Sequence, residues 1–145
     1  MKSLQNLSIK AILSAYLPPI VWGGFIFLLS SQPNLPSFSV SVLDFIFKKC
    51  SHVFVYTVLY FLTYRAINFD LHQNINNKVF TIWPISINDS NTKLNWRLPF
   101  LLCILYAVTD ETHQAFTPHR TPTLRDVGYD FIGAGLAFLK IYRYI

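Results

Sequence analysis

Charge is what this sequence has least of. Asp, Glu, Lys and Arg make up 13% of its 145 residues, about half the share of roughly 25% usual in a soluble domain. That shortage argues against an ordinary water-soluble fold. Sulfur is scarce too, with one methionine and two cysteines. Cys50 and Cys103 have no metal or redox spacing, and they fall at different expected depths, which argues against a structural disulfide. A formal charge of +5 raises the question of a nucleic-acid partner. The Lys and Arg residues form no stripe, however, and sit at the ends of apolar runs, so no nucleic acid is expected.

Familiar catalytic signatures are missing as well. "DETH" at 110–113 is not HExxH, because no histidine pair has the i, i+4 spacing of that zinc motif. There is no GxSxG and no Cys/His nucleophile pattern. The linked Arg/His signatures of integral-membrane lipid phosphatases are lacking. No internal repeat or low-complexity tract occurs.

Apolar sequence is what the chain has in quantity, at 52% hydrophobic and 17% aromatic residues. A bilayer core of about 30 Å needs roughly 20 apolar residues per helix, with a range of about 17–25. Four stretches meet or approach this, at about 11–30, 49–67, 98–117 and 126–143. The expectation is an all-α, four-transmembrane-helix bundle, a polytopic membrane protein in one domain spanning residues 1–145. The first run is longer than a signal peptide's apolar region, and "SSQP" is a poor cleavage site, so this helix should be retained. Pro18 and Pro19 predict a bend in it, since each lacks an N–H and crowds the preceding turn.

Topology follows from the basic residues. One side would hold Lys2, Lys10, Arg65, Lys78, Lys93, Arg97, Lys140 and Arg143, and the other Lys48, Lys49, Arg120 and Arg125. The heavier side faces the cytoplasm by the positive-inside rule, placing both termini there. The loop at about 68–97 contains "VFTIWPISI", which suits a short hairpin or an interfacial segment. His72 in it reads as a solvated loop residue. In "SVLDFIFKK", Ser41, Asp44 and Lys48 recur at helical spacing, which predicts an amphipathic interfacial turn ahead of the second span.

The same topology gathers the unusual polarity. "SSQP" ends the first span, "KKCSHVFVY" opens the second, "DETHQ" ends the third and "RDVGYD" opens the fourth, all on the outer side. Lys49, His52 and Tyr56 share one helical face, as do Asp126, Asp130 and Gly133. Asp110, His113 and Gln114 share another, with Glu111 turned about 100° from Asp110. Ionisable groups at membrane depth cost about 2.5–3.5 kcal/mol each, so these must face the bundle interior or water.

Three readings of the cluster stand at this point. Arg120, Arg125 and Lys49 could hold an anion while Asp110, Glu111 and His52 orient it, making a binding pocket. A membrane-embedded hydrolase or phosphotransferase acting on a lipid-linked phosphate would draw its proton carriers from Asp110, Glu111, His52 and His113. A structural clamp would use the same Asp–Arg and His–carboxylate pairs to fix helix register. No motif specifies a metal or cofactor, although His52, Asp110, Glu111 and His113 could meet across helices. Ser30 and Ser31 could meet a histidine only through the fold. Gly133 and Ala137 form a small-xxx-small pair suited to close helix packing. Pro118 and Pro122 bracket Arg120, and His119 between them should be exposed.

"SSQP", "KCSHVFVY" and "DETHQAFTPHRTPTLRDVGYDFIGAG" together resemble the VanZ-like family of bacterial membrane proteins. The match covers most of the chain outside the 68–97 loop and the termini, and its third block is the most specific. The resemblance singles out Lys49, His52 and Tyr56, and also Asp110, Glu111, Gln114, Arg120, Asp126 and Gly133. Asp130 falls where asparagine also occurs in the family. The resemblance implies a multi-pass protein of the bacterial cytoplasmic membrane with an envelope role. It also implies a link to low-level glycopeptide (teicoplanin) resistance. The shared outer location and spacing of the polar groups give the expected partner: a surface or lipid-linked envelope precursor or an anionic lipid headgroup. With Arg125 and Asp130 added from the spacing, the expected ligand-binding set is Lys49, His52, Tyr56, Asp110, Glu111, Gln114, Arg120, Arg125, Asp126 and Asp130.

Overall fold

The computed structural model describes residues 9–33, 40–69, 95–118, 120 and 123–142. The run "VFTIWPISI", His72 and His119 lie outside these residues. Four helices and no strand occur among the described residues: α1 (Ile9–Ser30), α2 (Ser41–Ile67), α3 (Arg97–Gln114) and α4 (Leu124–Ile141). The described residues are therefore all-α, as the apolar runs predict.

Helix boundaries depart from expectation where local chemistry overrides hydropathy. The "SVLDFIFKK" segment is not a separate turn but the first two turns of α2, continuous with the apolar run. Asp44 sits in that first turn, where it complements the helix dipole, and it pairs with Lys48 at 2.7 Å, i, i+4. At 27 residues α2 reaches about 40 Å, longer than a bilayer core. α3 ends three residues earlier than expected, because Ala115, Phe116 and Thr117 turn back with their N–H groups on the last carbonyls of the helix. α1 runs helically through Pro18 and Pro19.

Cross-helix contacts give the relative direction of each pair. Between α2 and α4 they join Lys49 to Asp126, His52 to Asp130, Thr57 to Gly133 and Tyr64 to Tyr142. Residue number rises together on both helices, so they are parallel. Gly23–Tyr106 and Ser31–His113 relate α1 and α3 in the same way. Trp22–Val55 and Ser14–Arg65 run α1 antiparallel to α2. Phe100–Phe131 and Trp96–Phe138 do the same for α3 and α4. The chain thus alternates direction at each helix, and the C-terminal ends of α1 and α3 meet the N-terminal parts of α2 and α4.

The most extensive helix contact is between α2 and α4. A glycine makes it: a Cβ at Gly133 would collide with the Val53 carbonyl oxygen. The Thr57 hydroxyl bridges the same seam, its single proton shared between the carbonyls of Val53 (2.7 Å) and Gly133 (2.9 Å). Ala134 and Ala137 continue this buried small-residue stripe. At the opposite end of the bundle, buried Asn68 donates to the Tyr64 and Asn95 carbonyls and accepts the Asn95 N–H at 2.8 Å. That clasp joins the end of α2 to the entry of α3.

Large apolar side chains lie outside and polar ones inside. Leu17, Ile20 and Leu28 of α1, Leu101 and Leu105 of α3, and Phe131 and Ile132 of α4 are all at least half exposed. Asp110, Glu111, Gln114, Asp126 and Asp130 are buried. α1 and α2 are long and apolar enough to cross a membrane. α3 and α4 have 18 residues each but carry three charged residues (Arg97, Asp110, Glu111) and four (Arg125, Asp126, Asp130, Lys140), which is why hydropathy alone passes them over.

Candidate functional site

The alternation of helices brings the polar residues of all four into one layer. On α2, Lys49 and His52 lie three residues apart and Tyr56 one turn further, so all three reach the seam with α4. Lys49 Nζ pairs with Asp126 Oδ1. The ammonium also lies 5.4 Å from the Tyr129 ring centroid and 5.5 Å from that of Phe45, close enough for cation–π attraction. One turn deeper, His52 Nδ1 is 2.9 Å from Asp130 Oδ1. Asp130 is 1% exposed, whereas the His52 side chain keeps 21% of its surface and sits at the rim of the layer.

α3 contributes from across the bundle. Asp110 Oδ2 accepts from Gln114 Nε2 at 3.1 Å, one turn on in the same helix, and Ser30 of α1 is its neighbour. Glu111 reaches the start of α4 instead, where its Oε2 accepts the Thr123 N–H at 2.9 Å. Thr123 makes no side-chain cap of its own. Glu111 thus does from another helix what the third-residue Glu of a capping box does locally. Asp126 holds that local position in α4 and is committed to Lys49.

Several polar atoms remain open in this layer. Tyr56 Oη, Glu111 Oε1 and Asp130 Oδ2 are buried with no hydrogen-bond partner among the described residues. Tyr56 is 1% exposed, with Asp130 and Asp110 as its nearest acidic neighbours. His52, Glu111 and Asp130 each present a ligand-type atom, all within 4.8 Å of one another.

Other expected site residues are placed elsewhere. Arg120 Nε donates to the Gln32 carbonyl (3.0 Å) and Nη2 to that of Leu29 (3.1 Å). It therefore holds the C-terminal end of α1 rather than a carboxylate. Arg125 is exposed. His113 stacks on Phe27 with centroids 4.3 Å apart, and its Nε2 is 3.0 Å from Ser31 Oγ, on the α1 side. Ser31 donates its own proton to the Phe27 carbonyl at 2.7 Å, which leaves His113 as the donor and the hydroxyl unactivated. The eight residues gathered in the layer are Lys49, His52, Tyr56, Asp110, Glu111, Gln114, Asp126 and Asp130. Ser30 and the Thr123 N–H join them. The Ser30 signal was present in "SSQP", but nothing in sequence marks a backbone N–H.

Both cysteines are free, Cys50 exposed and Cys103 buried in the core. Comparison with curated proteins and with solved structures finds no match. Comparison with protein families does: the sequence model of VanZ/LLP1 matches residues 15–144, which include every helix end that builds the polar layer. The chain belongs to the VanZ/LLP1 family.

Proposed function

We propose that this chain is a four-span protein of the bacterial cytoplasmic membrane. Its polar layer faces outward and binds the polar head of a surface or lipid-linked envelope component, and this binding contributes to glycopeptide (teicoplanin) resistance. The observation that carries the reading is the inverted burial pattern. Every helix turns large apolar side chains outward, while six acids and amides lie inside among tyrosines. Exposed apolar surface of that extent on all four helices suits lipid, and it lets α3 and α4 cross the bilayer despite their charges. Both termini then face the cytoplasm by the distribution of Lys and Arg.

The donor set defines the ligand chemistry. Lys49 and His52, at the rim, can meet a phosphate. The carboxylates behind them accept from the hydroxyl and amide donors of a sugar or peptide head group. His52 held by Asp130 also supports a second reading, in which an oriented imidazole moves a proton during hydrolysis or transfer of a lipid-linked phosphate.

Native mass spectrometry of the full chain released from bacterial membranes tests the binding. One lipid with a phosphate or sugar head per chain is expected, lost in folded Glu111→Gln. A chain that retains no such lipid, and whose expression leaves teicoplanin susceptibility unchanged, would refute the proposal. Product formation from polyprenyl phosphates would select the enzymatic reading. Reporter fusions at Ile145 and within residues 70–94 should both report a cytoplasmic location.

A further inference from the structure

We infer that His52, Glu111 and Asp130 form a binding site for a divalent cation of the zinc class. The inference rests on the reading of the layer as a ligand chamber, and deepens it by supplying the charge that holds an anionic head group.

Geometry comes first. The three ligand-type atoms come from three different helices and lie within 4.8 Å of one another. An ion with bonds of about 2.0–2.2 Å to nitrogen and oxygen holds tetrahedral ligands roughly 3.4 Å apart. The remaining gap of roughly an ångström would have to be closed by side-chain rotation on fixed helices. Imidazole with two carboxylates is also a donor set suited to zinc, and three protein ligands leave one position open.

The second observation is independent of spacing. Glu111 is 6% exposed and Asp130 1%, and each has one oxygen, Oε1 and Oδ2, with no partner among the described residues. A buried carboxylate oxygen without a donor is rare in a native interior. Their other oxygens are already used, Glu111 Oε2 by the Thr123 N–H and Asp130 Oδ1 by His52. Both unused oxygens belong to the same three-residue group, and the neighbouring Asp110 Oδ1 and Tyr56 Oη, outside that group, are unpaired as well.

Charge completes the case. Lys49 neutralises Asp126. Neither Asp110, Glu111 nor Asp130 forms an ion pair with Lys or Arg among the described residues. The nearby Arg120 is spent on carbonyls of α1. Among the described residues these three carboxylates thus have the imidazole of His52 and, for Asp110, that of His113 beside them, and a doubly charged ion offsets most of the excess. With its fourth position open, the ion would accept a phosphate or carboxylate oxygen from the ligand, a role that sequence had given to Arg120 and Arg125.

The test uses the full chain in lipid nanodiscs, stripped with chelator and titrated with zinc chloride alone, then magnesium chloride alone. Metal is quantified after gel filtration by plasma mass spectrometry. One zinc per chain is expected, with at least tenfold weaker magnesium binding. Cobalt substitution should give the intense visible bands of a tetrahedral site. Glu111→Gln, whose carbonyl can still accept from Thr123, should weaken zinc binding at least tenfold while the circular dichroism stays that of a folded helix bundle. Asp130→Asn should do the same, and Asp44→Asn on the outer part of α2 should bind as the parent does. The inference is overturned if the folded parent binds less than one zinc per five chains, or if Glu111→Gln binds zinc as tightly as the parent. Lipid retention is scored separately: lipid bound without metal sinks this inference and leaves the proposed function standing. Metal bound without lipid does the reverse.

Discussion

Gly133→Ala is the substitution for which the structure makes the sharpest demand. The added methyl group has nowhere to go, because its path ends in the Val53 carbonyl oxygen of the parallel helix α2. A flexible side chain could swing aside, but a helix backbone cannot, so α2 and α4 must separate by about an ångström. Overpacking of this kind costs about 1–3 kcal/mol. Stretching the Thr57 hydroxyl away from the Gly133 carbonyl removes about 0.5–1.5 kcal/mol more. Alanine's better helix propensity returns about 1 kcal/mol. The balance is a loss of about 2.5–3.5 kcal/mol, since a backbone obstacle puts the overpacking at its upper end.

The effect should reach the polar layer. Asp130 and Asp126 lie one and two turns from Gly133 on the same face, and their partners are on α2. A shift of an ångström would carry His52 Nδ1 and Asp130 Oδ1 from 2.9 Å to beyond hydrogen-bond range. The control is Gly135→Ala, two residues away, where an added Cβ meets nothing within 4 Å. That variant should be as stable as the parent or slightly more so. Reversible unfolding in mixed detergent micelles, followed by far-ultraviolet circular dichroism, measures both. If Gly133→Ala and Gly135→Ala unfold at the same detergent fraction, the close contact of α2 with α4 is wrong, and with it the register of the site.

Three further outcomes are expected. Lys49→Met strands Asp126 near the rim and should destabilise the bundle by about 1–3 kcal/mol, most of it recovered in the Lys49→Met/Asp126→Asn double variant. A coupling energy near zero in that double-mutant cycle would remove the pair from the account. Arg120→Lys loses the two-carbonyl grip on the end of α1 and should lower stability by about 1 kcal/mol, whereas Arg125→Ala should stay within about 0.5 kcal/mol; equal effects would contradict the placement of Arg120. His113→Phe keeps the stack on Phe27 and should leave lipid or zinc retention as in the parent; loss of either would draw His113 back into the site.

Different parts of this molecule were legible to different degrees. Helix number and approximate ends followed from four apolar runs of about 20 residues, although of the described helices hydropathy alone singles out α1 and α2. Gathering of polarity at one end also followed, since alternating helices bring alternate ends together. What could not be read was the use of each charge. Lys49, His52 and Tyr56 announced a shared face by their spacing, and all three lie in the layer. Arg120 offered the same formal charge as Lys49, yet the turn after α3 carries it to the carbonyls of α1. Glu111 stood beside Asp110 in sequence, but it serves a backbone N–H on another helix. Such assignments depend on loop conformation, which periodicity does not encode.

The packing below the layer bears on what kind of site this is. Tyr56, Tyr60 and Tyr64 repeat every four residues along one face of α2, each at most 1% exposed. Phe100 meets Tyr60 edge-on at 5.7 Å, and Tyr142 meets Tyr64 edge-on at 6.4 Å. Trp96 and Phe138 close against each other at 5.3 Å on the flank. Cys103, Ala107, Ala134 and Ala137 fill the space among these rings. A pathway for ions or polar solutes would need polar groups continuing through this half of the bundle. Between Tyr56 and the Asn68 clasp the described core is mostly aromatic, its polar atoms being side-chain hydroxyls such as those of Thr57, Tyr60 and Tyr64. Among the described residues the polar layer is thus bounded below by tyrosine, with Lys49 and His52 as its partly exposed side.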